Sequence, residues 1–480
     1  MSPLAVGIDV GTTSVKVLAL DAAGDVVAVA SAAHGILDRA GVVEASPARW
    51  WESTTAALAA LADRLGGLEA VEVVGLSGNM SSVVLVDNRG APVRDAVLLA
   101  DPRGAGQLAA LPTEVRDALT SATHNPLTTV FSLATLLWLR DAEPASLDEA
   151  AAWLSAKDYV RLRLTGELAT EITDAANSLL VRAGTGGWDG DLIAAVGLDN
   201  GMFPPIVDSS AVAGRVRPGT ALRTGTPVVA GTGDMAAAAL GAGDPSPGQL
   251  LVSLGTSVTA IAHLGAEPFA PEWSGRLTYH PLPAGDGAFA LASLLTGGLA
   301  VNWLRSLAGT AALSAAAGRP DPEDPLVFLP QLAGGGTPDF VGALRGTLFG
   351  VRPSTTGADI AQAVYEAVAF ELAAVADLLG EAHVRQLLLT GGGANLPAWT
   401  SVITDVLNRP SRTLATPDAS AIGAARLAWR ALGHDCPAGL AAVRQDPRPE
   451  HAAAWAHRRA HYERARRAAV SYYLSDEQRR

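Results

Sequence analysis

Apolar and polar positions first separate sharply over Leu4–Asp21, LAVGIDVGTTSVKVLALD. An apolar run ends in Asp9, a short polar turn passes through Gly11, Thr12 and Thr13, and a second apolar run begins by Lys16. The pattern predicts two strands joined by a tight turn. A third strand is expected over Val26–Ile36. Ser46 and Pro47 then open a helix as N-cap and first helical residue, with Trp50, Ala57, Leu58 and Leu61 at helical spacing. Trp50 and Trp51 read as core. EVVGLSG and SVVLVD continue as short strands around Gly78–Ser81, and DAVLLA runs into Ala100 and Asp101. Strand ends recur at Thr226–Asp234, at Ser253–Ser257 and in VRQLLLTGGGANLPAW, Val384–Trp399. Strands alternating with helices predict an α/β chain.

The polar residues at these strand ends carry the candidate chemistry. Between two buried strands the first turn places a carboxylate, a glycine, hydroxyls and a lysine, which suits a phosphate and a metal ion: backbone N–H groups, Thr12, Thr13 and Lys16 for the anion, Asp9 for Mg²⁺. An ordinary hairpin would also use Asp and Gly. Gly255 and Thr256 repeat the arrangement in the other half of the chain, so two turns could grip a nucleotide triphosphate. Asp101 closes a strand, where open α/β sheets place ligand groups, or else starts a helix. Asp234 follows Gly-Thr-Gly and precedes the small-residue helix MAAAALG, as a ligand group or as an N-cap. Gly391, Gly392, Gly393 and Ala394 form a tight strand-to-helix turn.

Composition narrows the class. A chain of 480 residues with 49% hydrophobic positions predicts two domains, each with a sizeable core. A formal charge of −13 argues against nucleic acid as a partner. Cys436 is the sole cysteine, which excludes an intrachain disulfide. The start MSPLAVGID enters a strand at once, predicting a cytoplasmic enzyme. Gly287–Leu304 is uncharged and long enough to raise the question of a membrane helix. Its Ser293, Thr296, Gly297, Gly298 and Asn302 predict a buried strand, a turn and a helix instead, with no membrane partner. The Arg-rich tail from Pro447 reads as a solvated amphipathic helix.

The paired Gly-Thr turns resemble those of the actin-like ATPase superfamily, and within it the FGGY sugar and polyol kinases, among which the xylulose kinases are most similar. Gly346–Glu366, GTLFGVRPSTTGADIAQAVYE, fits the second FGGY signature at every defined position. Phe131–Arg140 resembles the first, with Thr135 in place of its lysine. Lys157-Asp158-Tyr159, Thr165-Gly166 and Thr173-Asp174-Ala175-Ala176 resemble the family too, as cleft supports, although Lys157 and Asp158 could equally form a surface ion pair.

The resemblance implies two ribonuclease H-like domains of the actin/hexokinase superfamily with a nucleotide and sugar cleft between them. Residues 1–229 would bind substrate and carry the first phosphate turn. Residues 230–480 would bind ATP through the second phosphate turn and the adenosine turn. It implies an ATP-dependent, Mg²⁺-requiring kinase of a small sugar, a ketose such as a pentulose. Asp234 would be the catalytic base and, with Asp9, a metal ligand. Thr12, Thr13, Lys16, Gly255 and Thr256 would hold phosphates, and Gly391–Ala394 would lie against adenosine. Asn79, Met80, Ser81, Asp101, Asp234 and Met235 would face the sugar. A homodimer is compatible with the sequence.

Three departures bear on the substrate: Ser81 stands where these kinases carry a sugar-binding His, and Ala100 and Met235 stand where they carry Asn. Gly335 and Gly336 also stand where the xylulose kinases carry an acidic and a basic residue. A polyol such as glycerol or erythritol is the alternative acceptor. A degenerate sugar- or nucleotide-binding regulator and a non-metabolic actin-like ATPase are the alternatives of other classes.

Overall fold

A computed structural model describes residues 2–283, 287–316, 318–337, 341–414, 418–437 and 442–477. The end of the expected glycine-rich loop, Pro338–Phe340, lies outside them. The chain forms two compact units, Met1–Asp244 with Tyr279–Ala288 and Asp418–Gly439, and Pro245–Thr278 with Phe289–Pro417 and Leu440–Arg480. The expected single cut after residue 229 is therefore replaced by a later boundary and by two returns of the chain to the first unit.

In the first unit, β1 (Leu4–Val10), β2 (Ser14–Asp21), β3 (Val26–Ala33), β4 (Val71–Gly78), β5 (Val212–Arg215) and β6 (Pro227–Val229) lie in the order β5-β6-β4-β1-β2-β3, and β7 (Thr232–Gly233) also pairs with β4. β1 runs antiparallel to β2 and parallel to β4. Val6, Ile8 and Val10 alternate onto one face and pack with Trp50, Leu58 and Leu61 of the helix Pro47–Leu65, so Trp50 is core as expected. Ser46 is that helix's N-cap, but its side chain makes no capping bond. The other face takes the helix Ala419–Ala431 at very close range. A methyl on Gly7 would lie 2.0 Å from the Ala421 carbonyl oxygen, and one on Gly75 1.9 Å from that of Ala424. Backbone atoms cannot give way as a side-chain tip does. Gly7→Ala is expected to destabilise the first unit by about 2 kcal/mol or more, measured as a lower denaturant midpoint.

The second unit repeats the plan. Its strands β8 (Gln249–Leu254), β9 (Val258–Gly265), β10 (Ala288–Leu294), β11 (Gln386–Thr390), β12 (Ser411–Leu414) and β13 (Ala442–Gln445) follow the order β10-β9-β8-β11-β12-β13. β8 is antiparallel to β9 and parallel to β11, as β1 is to β2 and β4. The uncharged stretch is the strand β10 followed by the helix Gly298–Ala315. No helix among the described residues is long and apolar enough to cross a membrane.

The tail differs from its expected solvated state. Ala452–Glu477 is a helix, but Trp455, Arg458, Tyr462 and Ala469 are buried at helical spacing. Arg458 donates to Glu366 at 2.7 Å, and Tyr462 bonds Glu371, both on the helix Gly357–Leu379. Arginines that look solvated in sequence can be interior when a neighbouring helix supplies carboxylates.

Candidate active site

Asp9 faces Lys16 across the β1–β2 ladder, and the Gly11 N–H closes the turn onto the Ser14 carbonyl at 3.1 Å. Thr12 and Thr13 are exposed at the tip. His34, at the end of β3, steadies that tip: its backbone N–H donates to the Thr13 carbonyl at 3.0 Å, and its Nε2 lies 3.0 Å from the Thr12 carbonyl oxygen. Lys16 Nζ pairs with Asp418 Oδ1 at 2.6 Å. Asp9 Oδ1 accepts from Ser77 Oγ at 3.0 Å. Burial raises the Asp9 carboxyl above its ordinary value, against the Ser77 bond and the Lys16 charge.

Asp234 reaches the same sheet end from the other side of β4. Ser77 is level with Asp9 in one neighbouring strand and with Thr232 in the other, and Gly78 is level with Gly233. Asp234 then begins its helix, with Gly233 rather than Asp234 as N-cap. Burial, reinforced by the Asp9 and Asp174 charges, pushes the Asp234 carboxyl up to about 8. Two carboxylates that each resist ionisation near one another fit a divalent cation. Among the described residues no group of three or more His, Cys, Asp and Glu could hold one alone. Mg²⁺ characteristically takes one or two carboxylates and fills its remaining positions with water and phosphate oxygens, so Asp9 and Asp234 suit it.

Beneath Asp234 lies a group of charges that sequence left open as a surface pair. Lys157, Asp158, Arg161, Glu171 and Asp174 are all buried. Lys157 Nζ lies 2.8 Å from Asp158, 3.2 Å from Glu171 and 2.9 Å from Asp174, and Arg161 donates to Asp158 at 2.7 Å. Burial pushes the Asp174 carboxyl up to about 6 despite Lys157, while Lys157 and Arg161 together hold Asp158 below its usual range against its own burial.

The expected sugar-facing residues are less uniform. Asn79 is buried, and its backbone N–H and its Nδ2 both donate to the Val10 carbonyl, at 2.9 Å each. Met80 is buried against Gly233, where a methyl would meet its Cγ at 2.6 Å. Ser81 has a left-handed backbone (φ 61°), and its Oγ accepts from the Asn177 amide. Met235 is partly exposed. Asp101 is buried and heavily engaged: Oδ1 accepts from Arg103 N at 3.0 Å and from Arg103 Nε at 2.8 Å, and Oδ2 accepts from Val43 N at 2.8 Å. Burial raises its carboxyl, but these donors outweigh it and the net position is below the usual carboxylate range. Arg103 also pairs with Glu44 at 2.6 Å and stands 4.0 Å over the Trp138 ring.

In the second unit Gly255 and Thr256 form the β8–β9 turn, with Thr256 exposed. The Gly255 carbonyl accepts from Gly298 N at 2.8 Å, and the Thr256 carbonyl from Gly297 N at 3.1 Å. Gly391 ends β11, the parallel neighbour of β8, with φ 85°; a methyl there would sit 3.0 Å from the Leu254 backbone. The structure therefore brings Gly391–Ala394 and the Gly-Thr turn together in this unit, and brings Asp9, Lys16 and Asp234 together in the other. Sequence reasoning missed His34, Ser77, Asn177 and Asp418. His34 sits inside the apolar run Val26–Ile36 read as the third strand, which gives it no signal, and Asp418 meets Lys16 across most of the chain.

Two family descriptions match: the N-terminal domain of the FGGY family of carbohydrate kinases over residues 4–241, and its C-terminal domain over residues 250–432. The xylulose kinase of Streptomyces coelicolor is 36% identical over 431 residues, 88% of this chain and 87% of the relative. That of Bacillus subtilis is 30% identical over 437 residues, with the same two shares, 88% and 87%. The crystal structure of xylulose kinase from Rhodospirillum rubrum superimposes with a TM-score of 0.90 at 29% identity, covering 98% of this chain and 100% of that one.

Proposed function

Because this chain belongs to the FGGY family of carbohydrate kinases and is an ATP-dependent sugar kinase, we propose that its acceptor is a pentulose and that Asp234 is the base. The observation that carries this is the placement of Asp9 and Asp234 on either side of β4 at one sheet end, with the Asp234 carboxyl pushed up to about 8. A carboxylate of that basicity takes a hydroxyl proton more readily than an ordinary aspartate. As the sugar oxygen attacks the γ-phosphorus, the bond from phosphorus to the bridging oxygen of the β-phosphate breaks, and the hydroxyl proton passes to Asp234. Thr12, Thr13 and Lys16 bind phosphate oxygens, and Gly255 and Thr256 form a second phosphate turn. Gly391–Ala394 lie against adenosine. Asp9 and Asp234 would hold Mg²⁺, which when bound would neutralise charge on the phosphates.

The relatives named xylulose kinases favour a pentulose. Asn79, Met80, Ser81 and Met235 form the proposed sugar side. Asp101 keeps its binding role in this reading only through oxygen lone pairs left over from Arg103 and Val43. Ala100 and Met235 offer no side-chain hydrogen bond to a hydroxyl, which favours a short polyol as the second reading. ADP release with Mg-ATP across pentuloses, tetruloses, hexuloses and C3 to C6 polyols tests both. The expected result is a pentulose with the highest kcat/KM. A polyol above every ketose supports the second reading, and no acceptor-dependent ADP overturns both.

A further inference from the structure

We propose that Thr173 is a positioning residue for phosphoryl transfer, a single buried hydroxyl that sets where Asp234 stands. This rests on the reading of Asp234 as the base. Thr173 Oγ1 accepts from the Gly233 backbone N–H at 2.9 Å and lies 3.0 Å from Thr232 Oγ1. It donates to Glu171 Oε1 at 2.7 Å. These bonds reach the two residues that immediately precede Asp234. Thr232 and Gly233 make a two-residue pairing with β4, the Gly231 N–H donates to the Ser209 carbonyl at 3.0 Å, and Ser420 Oγ donates to the Asp234 carbonyl at 3.2 Å. The Thr173 hydroxyl is thus the hydrogen-bonding side-chain contact on the two residues just before Asp234.

Thr173 is itself rigidly held. The Glu171 carboxylate accepts from Thr173 N at 2.9 Å, Asp174 N at 3.0 Å and Ser209 Oγ at 2.7 Å, and lies 3.2 Å from Lys157. Arg161 adds a bond to the Ala230 carbonyl at 2.9 Å, upstream on the same turn. Each of these side chains is buried, so water is a poor substitute for any lost partner. A hydroxyl is the right group for the position, since it must accept from an amide and donate to a carboxylate at once. A displacement of the base by about 1 Å can cost on the order of 100-fold in rate.

The test uses the full chain and the acceptor with the highest kcat/KM. Thr173→Val keeps the shape and removes the hydroxyl, Thr173→Ser keeps the hydroxyl, and Asp234→Asn is run beside them. Thr173→Val is expected to lower kcat by about 10 to 100-fold while KM for ATP and the background hydrolysis of ATP stay within about 2-fold. Thr173→Ser should restore kcat to within about 3-fold. Wild-type kcat in Thr173→Val overturns the proposal. So does a loss shared equally by KM for ATP and kcat that Ser does not rescue, or a Val variant that does not fold, since either places the hydroxyl in the framework alone. Asp234→Asn at wild-type turnover would instead sink the base assignment. A dead Asp234→Asn with an unaffected Thr173→Val would sink only the positioning role.

Discussion

Asp234→Asn should lower sugar-dependent ADP release by about 10²- to 10⁴-fold, the range that a positioned general base supplies, with little change in the slow hydrolysis of ATP by water. The amide keeps the size of the carboxylate and removes its basicity, so the loss should fall on kcat. The wild-type profile carries a matching signature. Because burial holds the metal-free Asp234 carboxyl at about 8 and bound Mg²⁺ would lower it, kcat/KM should rise with pH through a limb at or below about 8 and then level. Asp234→Asn should lack that rise. Stability runs the opposite way. The folded protein holds a proton on Asp234 that the unfolded chain releases near 3.8. Asp234's contribution to stability therefore falls as pH climbs from there to about 8. Asp234→Asn should melt higher than wild type at pH 8, and a lower melting temperature there would contradict the burial argument.

Lys157→Met is the most damaging framework change expected. It leaves Asp158, Glu171 and Asp174 buried with Arg161 as the only nearby cation in the group. Removing one partner of a buried ion pair typically costs about 3 to 5 kcal/mol, because the charges left behind are uncompensated. The variant should show a correspondingly lower denaturant midpoint or fail to accumulate as folded protein. Losing Lys157 raises the variant's Asp174 carboxyl above the wild type's value of about 6, so the deficit should shrink as pH falls toward about 6, where the variant has already taken up that proton, and change little below it. A variant as stable as wild type at pH 8 would mean that the three carboxylates find other partners.

The turns that carry the candidate residues could be read from the chain because their pieces are local. Asp9, Gly11, Thr12, Thr13 and Lys16 lie within one hairpin, and Gly-Thr-Gly-Asp announces Asp234 by its position after an apolar run. The doubled plan is expected from the resemblance carried by the paired Gly-Thr turns, while strand and helix pattern alone gives only an α/β chain. What escaped were partnerships between distant segments. Nothing near Lys157 says that three acids surround it in the interior, since the same Lys-Asp dipeptide is ordinary on a surface. Asp101 closes a strand as ligand groups do, yet Arg103 and the Val43 amide occupy its oxygens. The tail's arginines read as solvated because the glutamates that receive them, Glu366 and Glu371, sit on another helix. The boundary was misplaced for the same reason: Asp418–Gly439 belongs to the first unit although it follows most of the second.

That return of the chain has a consequence during synthesis. The sheet face marked by Gly7 and Gly75 is covered by the helix Ala419–Ala431, so it stays bare after Asp244 has left the ribosome. About 190 further residues must be made first, which takes roughly ten to forty seconds at ~5–20 residues per second. For that interval the nascent chain presents a grooved apolar sheet with its natural cover still unwritten. A chaperone that binds extended apolar surface should therefore engage ribosome-bound chains ending between Asp244 and Ala431, and let go of those that extend past the helix.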